Sequence, residues 1–122
     1  MSSTTLIIGA TTNPERTAFQ AAGLLKQKGI QFIAVGIKEG TVFGEPILAR
    51  EKLAPDAKID TVTLYVRPEI QKEWYDQIVA LKPRRIIFNP GTENPEFEKI
   101  ASAAGIESIN ACTLVMLTTG QY

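Results

Sequence analysis

Short unbroken apolar runs alternate along the chain with stretches whose apolar residues recur at helical spacing. Leu6-Ile7-Ile8 carries no polar alternation, the pattern of a strand covered on both faces of a parallel sheet, and predicts a strand over residues 4–10. Asn13 is a good helix cap and Pro14 stands where a first helical residue belongs. A helix is therefore predicted over residues 14–28, with Phe19, Ala22 and Leu25 inward and Gly29 as its stop. Phe32-Ile33-Ala34-Val35 gives a second strand over residues 31–36. Residues 38–46 read as a polar, glycine-bearing loop with an extended piece at 41–43, and residues 47–53 as a short helix.

The second half repeats the alternation. Residues 60–66 are rich in β-branched and aromatic side chains and form the third predicted strand. Pro68 opens a helix through Ile70, Trp74, Ile78 and Leu81 that ends before Pro83. Residues 85–89 make a fourth strand. Asn94 then caps a helix that starts at Pro95 and runs through Phe97, Ile100 and Ala104 to Gly105. Residues 106–110 make a fifth strand and residues 112–117 a last helical turn. The fold class expected is α/β: a three-layer sandwich around a parallel sheet of about five strands, with helices on both faces and right-handed crossovers.

At 122 residues this is read as one domain spanning 1–122, large enough to bury a proper core. Lysine plus arginine equals aspartate plus glutamate at 13 each, so no net positive field favours nucleic acid or an acidic membrane. No apolar run approaches the roughly 20 residues of a membrane helix, and the first residues lack signal-peptide features, so a cytoplasmic location is expected. The single cysteine, Cys112, makes neither an internal disulfide nor, alone, a zinc site. The chain has no histidine, which removes the commonest general base and metal ligand and lowers the expectation of an enzyme.

In an open parallel sheet, ligands bind outside the carboxyl ends of the strands, where strand order reverses. The residues leaving the first strand are Gly9, Ala10, Thr11, Thr12 and Asn13, with Arg16 and Thr17 close behind, and their backbone N–H groups and hydroxyls suit a phosphate. A dinucleotide fingerprint would place glycines at 9, 11 and 14, where this chain has Gly9, Thr11 and Pro14. After the second strand come Gly36, Ile37 and Lys38; an NAD site would want an acid there, whereas Lys38 suits a phosphorylated ribose, as in coenzyme A or NADP. Val66, Arg67 and Pro68 leave the third strand, and Asn89, Pro90 and Gly91 leave the fourth. Each has a plainer reading. The threonines and Asn13 close a turn, Arg16 and Lys38 are solvated, Arg67 pairs with Glu69, Pro90 and Gly91 make a turn, and Cys112 is a small buried residue rather than a thiol facing the ligand.

Taken together, these residues give the chain a resemblance to the small CoA-binding proteins with a Rossmann-like fold, relatives of the CoA-binding domain of succinyl-CoA synthetase α subunits. The resemblance covers nearly the whole chain. It rests on residues 8–17, on Ala34-Val35-Gly36-Ile37-Lys38 with Gly44, on Val66-Arg67-Pro68, on residues 89–94 and on Cys112. It implies that the first loop holds the CoA phosphates and that the loop after the second strand contacts the adenosine end. The ends of the third and fourth strands would line the rest of the groove. Two positions depart from the family pattern: Gly36-Ile37 replaces an Asn-Pro pair, and Ala111 replaces an arginine before the cysteine. The expected function is binding of coenzyme A or an acyl-CoA without catalysis. The alternatives are a small NADP oxidoreductase and an interaction domain that has lost its ligand. A homodimer is compatible with this size.

Overall fold

The computed structural model describes residues 3–122, so the first two residues of the expected domain lie outside it. Seven strands form one sheet: β1 (Thr5–Ile8), β2 (Phe32–Val35), β3 (Thr41–Val42), β4 (Glu45–Leu48), β5 (Thr61–Leu64), β6 (Arg85–Phe88) and β7 (Glu107–Asn110). Their order is β3-β4-β2-β1-β5-β6-β7. All neighbours run parallel except the β3–β4 hairpin at one edge. The expected α/β sandwich is therefore present, with seven strands rather than about five.

The two additional strands come from residues 41–48. The extended piece at 41–43 supplies β3, but the helix expected over 47–53 is absent, because Ile47 and Leu48 pair in parallel with Ala34 and Val35 of β2. Only Arg50–Lys52 winds, as a short 3₁₀ turn. Ile47 gains a buried place beside Ala34, and this tertiary burial outweighs local helical preference.

Alternation along the strands sorts the two faces. Leu6, Ile8, Val62, Leu64, Ile86 and Phe88 pack under α3 (Tyr75–Leu81) and α4 (Pro95–Ala103). Ile7, Phe32 and Ala34 pack under α1 (Thr17–Gln27) and α5 (Thr113–Thr118). The latter face is more polar on its β5–β6 side. There the buried Arg85 donates from Nε to the Thr61 hydroxyl at 2.9 Å and stacks its guanidinium 4.6 Å from the Tyr122 ring.

Two helices depart from the expected pattern. Helix α1 starts at Thr17 rather than Pro14. Asn13 caps only a local turn, in which its Oδ1 accepts from Glu15 N at 3.0 Å and its carbonyl from Arg16 N at 3.1 Å, and Arg16 then extends before the helix begins. Ala18, Ala21, Ala22 and Leu25 are its buried stripe, with Phe19 set against Phe43 instead. The helix after β5 is broken into α2 (Pro68–Gln71), a 3₁₀ turn at Lys72–Trp74 and α3. The tighter turn advances the inner stripe to Gln71, Trp74, Ile78 and Leu81 and leaves Ile70 exposed. The last expected cap is present: Phe97 N donates to Asn94 Oδ1 at 3.1 Å, with Pro95 opening α4.

At the amino ends of β5 and β6, Arg84 forks onto the Asp60 carboxylate at 3.0 and 3.1 Å. This hydrogen-bonded guanidinium holds Asp60 below the ordinary carboxylate value of 3.8. A lowered folded value means stability that is complete above the unfolded pKa and is lost as pH falls through the folded one. Arg84→Ala is therefore expected to lower the urea midpoint at neutral pH, and to narrow its gap to the wild type as pH drops below 3.8, read from paired urea titrations.

Candidate crevice at the carboxyl ends of the strands

The strand order reverses at β1, with β2 on one side and β5 on the other, which opens a crevice at their carboxyl ends. Close backbone approach shapes it. Gly9 has φ of +100°, and a Cβ there would sit 3.0 Å from the Tyr65 carbonyl oxygen. A Cβ at Gly36 would meet the Ala10 carbonyl oxygen at 2.4 Å. The loops after β1, β2 and β5 are thus drawn together by the absence of side chains at two positions. Thr12 also touches the β2 loop, its methyl lying 2.7 Å from where a Cβ of Gly40 would stand.

The first loop's hydrogen-bonding capacity is divided. Gly9 N and Ala10 N both donate to the Val35 carbonyl at 2.9 Å, so these two amides serve the sheet. The Thr11 hydroxyl accepts from Asn13 N at 3.1 Å. Among the described residues, the amides of Thr11, Thr12, Thr17 and Ala18 have no partner. Two of the four lie at the start of α1, where the helix dipole is positive. Thr12, Asn13, Arg16 and Thr17 are exposed around them. These donors, and not those of Gly9 and Ala10, are what the loop can offer an anion.

The other expected residues divide into rim and wall. Ile37 is fully exposed and Lys38 beside it is exposed, at the end of β2. Arg67 is exposed at the end of β5 and pairs at 3.3 Å with an equally exposed Glu69, a pairing worth little in water. Val66 packs into the core beneath it and Pro68 opens α2. Gly91, with φ of +93°, turns the chain after β6 in the open.

Asn89 is not on the rim. It is buried, and its side chain donates to the Thr63 hydroxyl at 2.7 Å and the Leu64 carbonyl at 2.8 Å, while its Oδ1 accepts from Thr113 N at 2.8 Å. Thr63 and Thr113 share a further hydrogen bond of 2.8 Å. Asn89 thereby ties β5 and β6 to the start of α5, next to the half-buried Cys112.

Two further side chains are buried close to this network. Tyr65 buries its hydroxyl close to Thr63 and Thr113 but outside hydrogen-bond geometry, and burial pushes its phenol up to about 12. Gln71 is fully buried behind the Arg67 loop. A tyrosine after a strand and a glutamine in a helix carry no signal in sequence that separates them from surface residues.

Two open depressions, one lined by Lys26, Gln31 and Glu45 and the other by Asp56, Lys82 and Arg84, lie at the opposite end of the sheet and share no residue with the crevice. Among the described residues no cluster of histidine, cysteine, aspartate and glutamate is set to hold a metal ion, and no helix is long and apolar enough to cross a membrane.

A doubly wound, mostly parallel sheet whose strand order reverses at β1 defines the Rossmann-like class of α/β folds. A family model described as a CoA binding domain matches residues 3–118, and the chain belongs to that family. It is 48% identical to an uncharacterized protein of solved structure, with a TM-score of 0.92, over 100% of this chain and 99% of the other. A hypothetical protein from Pyrococcus horikoshii OT3 is 27% identical, with a TM-score of 0.84, over 94% and 81% of the two chains. A protein from Thermus thermophilus shares the fold with a TM-score of 0.84 at 23% identity, over 99% and 91%. No curated protein matches the chain.

Proposed function

We propose that this chain binds coenzyme A or an acyl-CoA in the crevice, as a cytoplasmic carrier or sensor with no catalysis of its own. The observation that carries the reading is the set of unpartnered amides at Thr11, Thr12, Thr17 and Ala18, beside exposed Arg16, in a member of a CoA-binding family. A diphosphate needs several converging donors and a compensating charge, and this loop supplies both without a glycine-rich fingerprint. Lys38 on the next loop suits the phosphorylated ribose, and Ile37 offers an apolar surface beside it. Arg67 meets anions on the opposite rim, at the cost of a weak surface pair. The residues present therefore fit the cofactor's phosphates. No histidine is present in the chain to act as a proton carrier, and the Tyr65 phenol stays protonated at neutral pH.

A thermal-shift titration tests the reading. CoA at 100 times its Kd is expected to add about 2.7 kcal/mol, which raises Tm by roughly 10 °C in a domain of this size. Acetyl-CoA giving the larger shift would assign the thioester form. No shift with millimolar CoA or acetyl-CoA would overturn the proposal, and protection by NADPH alone would replace it with an oxidoreductase reading.

A further inference from the structure

The walls of the crevice formed by the loops after β5 and β6 come from separate βα units, yet one buried side chain joins them. The Gln71 amide nitrogen donates to the Val66 carbonyl and to the Thr92 carbonyl, each at 2.8 Å. Its Oε1 accepts from Asn94 Nδ2 at 3.0 Å. All three partners lie in the segments that carry Arg67 and Gly91. Gln71 is 0% exposed and its bond to the Thr92 carbonyl is buried, so water is no substitute there. The 3₁₀ turn that follows serves this placement, since in an unbroken helix Gln71 and Ile70 would flank the Trp74-Ile78-Leu81 stripe about equally, and the tighter turn swings Gln71 onto it.

We infer that Gln71 is the positioning residue of the binding site: it locks the Arg67 loop to the Gly91 loop so that the two meet a ligand as a single wall. The inference rests on the CoA-binding reading for its ligand and on the hydrogen bonds alone for the coupling. A residue that merely filled the core would be replaceable by an apolar side chain of its own length. A latch would not, because its loss frees both loops at once while the sheet stays intact.

The test compares Gln71→Met, which keeps the length and removes every hydrogen bond, with Leu81→Ala, a core truncation at the far end of α3. Isothermal titration with CoA and amide hydrogen exchange of the ligand-free protein are read on both. Gln71→Met is expected to raise the Kd about tenfold and to speed exchange across 67–71 and 89–94 together, while Leu81→Ala lowers Tm at least as much and keeps Kd within about twofold. A Kd for Gln71→Met within about twofold of wild type, or an equal rise in Leu81→Ala, would overturn the inference. Should Gln71→Met fail to fold, Asn94→Ser retains the helix cap and removes the donor to Gln71, and the same two readouts decide, with faster exchange in both loops and a raised Kd expected. If the wild type takes up no CoA, the binding reading falls while the coupling still stands or falls on exchange: paired acceleration of the two loops supports it and acceleration of one loop alone sinks it.

Discussion

Gly36→Ala is expected to destabilise the protein by about 3 kcal/mol and to weaken CoA binding in the same variant. The added methyl would stand 2.4 Å from the Ala10 carbonyl oxygen, and also 3.1 Å from an Ile47 methyl. The first obstacle is backbone, which cannot rotate aside as a side-chain tip does. That carbonyl belongs to the loop whose amides the ligand would use, so relief of the clash displaces the binding loop itself. Gly36 also donates to the Leu48 carbonyl at 3.0 Å, which ties the collision to the β4 edge. Urea denaturation gives the stability and a CoA titration the affinity. A loss below about 1 kcal/mol would mean that the loops after β1 and β2 yield more readily than their packing indicates.

The second large effect is expected at Asn89. Alanine there strands two buried groups at once, the Leu64 carbonyl and the Thr113 amide, and takes one of two partners from the Thr63 hydroxyl, and a loss of about 4 kcal/mol follows from leaving such a network unsatisfied. Aspartate separates the roles of the two ends of the side chain. It can still accept from Thr113 N, but it sets a carboxyl oxygen against the Leu64 carbonyl, so the protonated form is favoured in the fold. Raising the folded pKa in this way gives stability present below the unfolded value of about 3.9 and lost as pH rises through the folded value. Asn89→Asp should therefore be relatively more stable in acid than Asn89→Ala, and lose that advantage toward neutrality. Equal pH dependence of the two variants, measured by urea midpoints, would show that the amide end is not directed at the carbonyl.

What could be read in advance follows the physics of each element. Strands β1, β2, β5 and β6 are buried on both faces, and runs such as Leu6-Ile7-Ile8 and Ile86-Ile87-Phe88 advertise this directly. Strand β4 does not: Glu45 and Pro46 hide a strand in which only Ile47 and Leu48 pair with β2. The Asn94-Pro95 start of α4 was legible because cap and first residue agree, whereas Asn13-Pro14 gives the same signal and yields only a turn. The crevice itself was legible from Gly9 and Gly36. The inward aim of Asn89 was not, since a residue at a strand end belongs to the groove or the core according to its parity, and its place in the sequence is the same for both. Gln71 was hidden more deeply, because at a helical period of 3.6 it and Ile70 flank the Trp74-Ile78-Leu81 stripe about equally, and the apolar side chain is the one that reads as inward.

The two-residue β3 bears on how this sheet behaves in a crowded solution. An outer strand with free N–H and C=O groups is a template on which another chain can build, and the hazard grows with its length and flatness. Here the hairpin turns at Phe43 and Gly44, both with positive φ, and the Phe43 ring folds back over α1 to lie 4.8 Å from Phe19. The strand it leaves at the border is too short to recruit a neighbour. The stretch that looked like an indifferent loop thus acts as a guard against edge-to-edge aggregation, and shortening it would trade a compact border for an exposed β2.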